Sequence, residues 1–197
     1  MRKFTRAEEP EILRKNWQRY GERYALNRAA NPSHLFRWPL VNGERLNQII
    51  LHILKLQTQH HCSYCDGFPL GPADETIDHF KPKSDERFYQ EVCKWENLYV
   101  ACADCQKVKA NQYSDLLLKP DETDYHFNKY FVYDYQKHEI NLRPGIDNIS
   151  LERAKITLSI FRLNEPAFCK SRQISLERYK ANAFRDPDDY GFRFMFD

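Results

Sequence analysis

The chain has 197 residues with a formal net charge of +2, and it is 42% hydrophobic and 29% charged, which excludes a disordered polyelectrolyte and suits one domain. The apolar run Ile49-Ile50-Leu51 ends at His52, too short to cross a membrane, and Met1 to Pro10 has no apolar core of a signal peptide. Six cysteines in such a chain predict a reducing, cytoplasmic setting in which paired thiols act as metal ligands rather than disulfides.

The first third predicts helices. Ile12, Leu13, Trp17, Tyr20 and Tyr24 recur at helical spacing after Pro10, with Gly21 weakening the pattern without ending it. Asn31-Pro32-Ser33 breaks it. A second helix is expected from about Glu44, with Leu46, Ile49, Ile50, Ile53 and Leu54 on one face, and it leads to His60-His61-Cys62. Residues 62–110 hold five of the six cysteines, a turn-rich Phe68-Pro69-Leu70-Gly71-Pro72 and one strand candidate, Glu75 to Phe80. Beyond them, Tyr130–Tyr135 and Glu139–Arg143 predict a hairpin turning at Gln136-Lys137-His138. A helix capped by Asp147 or Ser150 follows, with Leu151, Ala154, Leu158 and Phe161 on one face, then a last helix over Glu165–Ala181. Phe192, Phe194 and Phe196 alternate near the end, as in an edge strand or a partner-docking tail.

Charge is segregated. Residues 1–55 carry eleven Lys/Arg against five Asp/Glu, whereas residues 56–150 carry ten against sixteen. Residues 151–185 are again basic, with eight against three. An acidic centre between basic flanks suits a metal-dependent site whose surroundings hold a polyanion; solvated helix faces give the same pattern.

Cys62-Ser63-Tyr64-Cys65 and Cys102-Ala103-Asp104-Cys105 are two C-x2-C pairs. Each places two thiolates on one tetrahedral ion, so together they predict a closed structural zinc site that cross-links segments too short to hold each other. His60 and His61 lie beside the first pair as alternative ligands, while Cys93 and Cys169 lack such spacing and read as buried thiols. Between the pairs, Asp78 is a hard oxygen donor suited to Mg2+ or Mn2+, and His79 can act as a general base near neutral pH. Neighbours on a strand face opposite ways, so the two serve one site only where the strand bends or ends, and Pro82 fits such an end. A purely structural zinc module has no need of that Asp-His pair.

The order C-x2-C, Asp78-His79-Phe80-x-Pro82, Asn97-Leu98, C-x2-C, Lys109 resembles the HNH endonuclease family, over about Cys62 to Lys109. The resemblance implies an α+β, mainly helical chain: a ββα-metal HNH finger braced by the four-cysteine zinc site, with helical flanks and a short β-hairpin. It divides the sequence into a helical segment 1–58, a nuclease core 59–115 and a hairpin, helices and tail over 116–197, within one compact domain. It makes His79 the general base, Asp78 a ligand of a catalytic Mg2+ or Mn2+, and Asn97 the residue that holds the His79 loop. Gln106 falls where the family has Asn or His as second ligand, a departure that Asp104 serves less well. Lys81, Lys83 and Lys109 become phosphate contacts. The activity implied is hydrolysis of nucleic-acid phosphodiesters, DNA foremost, leaving 5′-phosphate and 3′-hydroxyl ends, with activity falling as pH drops through the ordinary histidine range.

Thr76 to Ser84, Trp95 to Leu98 and Leu163-Asn164 are similar to one subgroup in particular: the PtuB-type nuclease subunits of Septu and retron-linked anti-phage defence. That similarity implies an oligomeric PtuA-like ABC-type ATPase as partner, with the helical flanks and aromatic tail as docking candidates. The competing expectation is a catalytically silent zinc module that binds nucleic acid or a protein. A nuclease working alone is disfavoured by the short length.

Overall fold

A computed structural model describes residues 1–71 and 75–196, so Pro72 of the turn-rich stretch lies outside the described residues. Helix α1 spans Glu11–Ala30 and follows Pro10, whose fixed φ suits a helix start. It buries Leu13, Gly21 and Tyr24. Gly21 is required by close approach rather than by conformation. A Cβ there would lie 1.9 Å from the carbonyl oxygen of Gln90, in the 3-10 turn Glu86–Glu91 that packs across the helix.

Strands β1 (Leu40–Val41) and β2 (Glu44–Arg45) form a tight hairpin through Asn42 and Gly43, both at positive φ. Helix α2 follows at once, Leu46–Gln57, and buries Leu46, Ile50 and Leu54 at an i, i+4, i+8 spacing. Its end is set by Thr58, whose Oγ1 donates back to the carbonyls of Leu54 and Lys55 at 3.1 and 3.2 Å. Gln59 and His60 then adopt left-handed φ and turn the chain into Cys62.

Strand β3 (Thr76–His79) pairs antiparallel with β4 (Leu98–Ala101), in a register that sets Asp78 opposite Tyr99 and His79 opposite Leu98. All of β4 is buried. Helix α3, Ala103–Lys109, leaves directly from β4, with the Cys102 sulfur accepting from the Cys105 N–H at its first turn. The two strands thus lie between the cysteine pairs, and α3 starts within the second pair.

The short helix α4 (Phe127–Tyr130) runs into the expected hairpin, β5 (Phe131–Asp134) with β6 (Glu139–Leu142). Helix α5, Asn148–Phe161, starts at Asp147, whose carboxylate accepts from the Ser150 N–H at 3.0 Å. It buries Ala154, Thr157, Ile160 and Phe161, while Leu151 and Leu158 of the expected face are half-buried. Asn164, just past its end, exchanges two 2.8 Å hydrogen bonds with the backbone of Ile140 and so ties the helix end to β6. Helix α6, Pro166–Ala181, opens on Pro166. The fold is α+β, with small two-stranded antiparallel sheets among the described residues.

The C-terminal stretch differs from both readings of its alternating phenylalanines. It forms 3-10 turns at Pro187–Asp189 and Arg193–Met195 and folds back into the core. Phe192, Phe194 and Met195 are buried, Phe194 stacks on Phe127 with centroids 4.3 Å apart, and Phe196 stacks on Tyr179 at 3.9 Å. Three large apolar side chains gain more by burial than an exposed edge strand would by backbone pairing. One apolar cluster therefore includes Met1, the β3–β4 unit and Met195.

Candidate metal centre and active site

Cys62, Cys65, Cys102 and Cys105 converge from the turn after α2 and from the junction of β4 with α3, with all four sulfurs within 4.8 Å of one another. A tetrahedral zinc with Zn–S bonds of about 2.3 Å requires sulfurs about 3.8 Å apart. Cys65 and Cys102 show that separation, 3.8 Å. Backbone N–H groups of Gly67, Cys102 and Cys105 point at the sulfurs of Cys65, Cys62 and Cys102 at 3.3, 3.3 and 3.4 Å, as thiolates require. Hydrogen bonding with Cys102 and Cys62 pushes Cys65 and Cys105 well above the ordinary thiol range, while against burial the bonds from its neighbours hold Cys62 well below it, and a cation among the sulfurs favours the thiolate form of all four. The donor set fits structural zinc.

His61 is not part of this cluster. Its ring stacks on Phe68, with centroids 4.5 Å apart, and its nitrogens face the carbonyls of Gln59 (2.6 Å) and Tyr190 (3.0 Å). His60, next to it, is exposed. Cys93 is buried as expected, and burial pushes its thiol up to about 12. Cys169 is half-buried against Arg172.

Sequence reasoning missed what braces the first cysteine pair. Asp66, at positive φ between Cys65 and Gly67, accepts from the Arg193 guanidinium at 2.7 Å and from the Arg193 backbone N–H at 2.6 Å. Both side chains are buried, and Phe192 N–H adds a 2.6 Å bond to the Asp66 carbonyl. The tail clamps the knuckle loop. A lone Arg near the chain end and a lone Asp 127 residues away carry no sequence signal of this pairing.

Above the cysteines, β3 ends at His79, so Asp78 and His79 sit at a strand end but face different surroundings. Asp78 is buried, and its Oδ2 accepts from the Tyr64 hydroxyl at 2.7 Å and from the Lys109 ammonium at 2.9 Å. Burial raises the Asp78 carboxyl, opposed chiefly by Lys109. Lys109 also donates to the His79 carbonyl at 2.7 Å and is fully enclosed. The enclosure corrects its expected role, since an ammonium with no exposed surface cannot grip a phosphate. Tyr64, between the first two cysteines, was not foreseen as a partner of Asp78.

Gln106 directs its amide nitrogen at the Ile77 carbonyl, 3.4 Å away, and Asp104 is exposed on α3 beside the cleft along α6. Asp78 is already matched through Oδ2 to an ammonium and a hydroxyl, and the Lys109 charge beside it opposes a divalent ion on the same carboxylate. These residues do not fit a catalytic Mg2+ or Mn2+ in this arrangement. Among the described residues, the four cysteines are the one cluster of Cys, His, Asp or Glu with metal-ligand spacing.

His79 is buried, with its Nε2 2.9 Å from the Val92 carbonyl. A carbonyl only accepts, so the neutral ring carries its proton on Nε2 and keeps a lone pair on Nδ1. Trp38 stacks over the ring at 5.6 Å and Phe36 meets it edge-on at 5.5 Å, both from the segment between α1 and β1. Burial, and then the nearby Lys83, lower the His79 pKa to about 3. Asn97, also buried, accepts from the Lys81 N–H at 2.7 Å and donates to the carbonyls of Glu91 (3.0 Å) and Lys81 (3.3 Å). It thereby ties the chain just after His79 to the chain leading into β4. Lys81 is paired with Glu91 at 2.9 Å, whereas Lys83 is exposed.

No family model matches the chain, and no curated protein matches its sequence. Among the described residues no helix is long and apolar enough to cross a membrane.

Proposed function

We propose that this chain is a zinc-braced endonuclease of the HNH kind, hydrolysing phosphodiester bonds of nucleic acid, DNA foremost. We further propose that it is the cutting subunit beside an ABC-type ATPase of anti-phage defence. The observation that carries the nuclease reading is His79: an imidazole at a strand end, with one nitrogen fixed on a backbone carbonyl and the following chain held by Asn97. A general base needs a defined tautomer and a rigid mount.

In this reading Nδ1 of His79 takes a proton from the water that attacks phosphorus. The P–O3′ bond breaks, and the 3′ oxygen takes up a proton from solvent. Lys83, exposed and close enough to depress His79, meets the phosphate charge. Trp38 and Phe36 must move off the His79 ring to admit a phosphodiester, which makes the present arrangement a closed one. The Mg2+ or Mn2+ that the resemblance implies requires Lys109 to leave Asp78 first, and no step is assigned to it. Displacing the Trp38 segment is the task this reading gives to the ATPase partner. The partner rests on the sequence resemblance alone.

A second reading is a silent zinc module, favoured by one observation: the Lys109–Asp78 pair fills the place of a catalytic cation. Nicking of supercoiled plasmid by the zinc-loaded chain in Mg2+ or Mn2+, with and without the ATPase, separates the two. The nuclease reading expects nicking that disappears in His79→Ala with zinc content unchanged. Nicking retained in His79→Ala overturns the role of His79. A folded chain that cuts nothing in either setting establishes the silent module.

A further inference from the structure

A cavity of about 650 Å3 opens between α1 and the segment that covers His79. Its walls carry Arg19 and Arg23 from the helix and Arg37 from the segment, with Tyr20, Tyr24 and Phe36 between them. No aspartate or glutamate lines it. All three guanidinium groups are exposed, and among the described residues none has a carboxylate partner within ion-pair distance. Arg19 instead lies over the Tyr20 ring at 5.4 Å and donates to Asn16. The contrast within the molecule is sharp: Arg6, Arg153 and Arg193 are each matched to a carboxylate at 2.6 to 2.7 Å. Three arginines left without counter-charge around a concave, acid-free surface are an anion site.

The aromatic lining narrows the anion. Tyr20 and Phe36 are half-buried and both line the cavity. Phe36 is fixed by Tyr24, edge-on at 5.4 Å, and Tyr24 in turn donates to the Lys83 carbonyl at 2.9 Å. Arg28 anchors the segment by donating to the His34 carbonyl at 3.2 Å and the Tyr89 hydroxyl at 2.9 Å. Rigid aromatic faces alternating with guanidinium groups suit a chain that alternates phosphates with flat rings. A duplex turns its base faces inward and offers only phosphates, so the rings would have nothing to stack on. Phe36 also touches His79, so its ring separates the groove from the candidate base and joins them only when it moves.

We propose that this groove binds an unpaired segment of nucleic acid, with Arg19, Arg23 and Arg37 on successive phosphates and bases stacked on Tyr20 and Phe36. As a substrate site it rests on the nuclease reading; as a binding site it rests on the groove alone.

The test is fluorescence anisotropy of the full zinc-loaded chain with a labelled 20-nucleotide single strand and with the same sequence as blunt duplex, without added divalent ions. Single strand is expected to bind at least tenfold more tightly than duplex. Log affinity should fall with log salt at a slope near −2, at roughly 0.7 per phosphate for three phosphates. Arg23→Gln with Arg37→Gln should flatten that slope by about 1.4, and Tyr20→Leu should weaken binding roughly 5- to 150-fold without changing it. Lys137→Gln, in the exposed β5–β6 turn, should change neither. The arginine variants are exposed, and an unchanged melting midpoint establishes that they fold.

Preference for duplex, no binding of either probe, or binding unaffected by the arginine variants overturns the proposal. Tighter binding of polyglutamate than of the single strand overturns it in favour of an acidic protein. Plasmid nicking by the same variants keeps the two readings apart. Single-strand binding without nicking, with the ATPase and without it, sinks the nuclease alone, and nicking undiminished in arginine variants that no longer bind single strand sinks the groove as a substrate site alone.

Discussion

Replacing Arg193 by methionine removes the cation from a pair whose side chains are 5% and 3% exposed, in Arg193 and Asp66 respectively. The guanidinium donates to Asp66 at 2.7 and 3.2 Å, to Asp188 at 2.8 Å and to the Thr58 carbonyl at 3.4 Å, so it joins the tail, the end of α2 and the knuckle loop. Methionine fills much of the volume but leaves the Asp66 carboxylate buried with only a backbone donor. Breaking one side of a buried pair costs about 3–5 kcal/mol. For a chain of this length each kcal/mol lowers the melting midpoint by about 2–4 °C, so a fall of about 6–20 °C is expected. The measurement is thermal unfolding by circular dichroism of zinc-saturated protein, with chelator-driven zinc loss followed in parallel, because Asp66 adjoins Cys65. The double variant Arg193→Met with Asp66→Asn should recover part of the loss, since the Asp66 carboxylate then no longer stays buried without its guanidinium. A midpoint within about 2 °C of the parent refutes the clamp.

Removing zinc, or substituting Cys105→Ser, should abolish cooperative melting of the chain. The parent should hold one zinc per chain by elemental analysis, and a sharp, unshifted transition in the metal-free protein would contradict the cross-link. Gly21→Ala places a Cβ 1.9 Å from the Gln90 carbonyl oxygen, so it should destabilise by about 1–3 kcal/mol despite the better helix propensity of alanine. Urea unfolding reads this directly, and a stabilised variant would mean that the 3-10 turn yields freely. His79 titrates near 3 when folded and near 6.5 when unfolded, so between those values the unfolded chain binds the extra proton. Stability should fall by about 1.4 kcal/mol per pH unit on acidification from 6.5 towards 3, and His79→Phe should flatten that slope. Equal slopes in parent and variant would show that His79 is not held in its buried neutral form.

Local signals in the sequence determined much of the scaffold. The two C-x2-C pairs mark the candidate metal centre because thiols with two residues between them can share one ion, whatever encloses them. The Asp147 cap, the stripe through Leu46, Ile50 and Leu54, and the turn at Gln136 to His138 are each short-range patterns, and each element appears close to where it was expected. What lay beyond local reach was set by tertiary packing. The pairing of Asp66 with Arg193 spans 127 residues, and the placement of Lys109 against Asp78 spans 31. In sequence Lys109 is one more basic residue near a helix end. Only the antiparallel register of β3 with β4, followed by α3, carries its ammonium inside, where a buried carboxylate leaves it no better partner. The cover over His79 is likewise tertiary: Phe36 and Trp38 come from a stretch whose prolines and polar residues predict only a break. They lie on His79 because the end of α1 packs against the 3-10 turn Glu86–Glu91, just before the Val92 carbonyl that holds the ring.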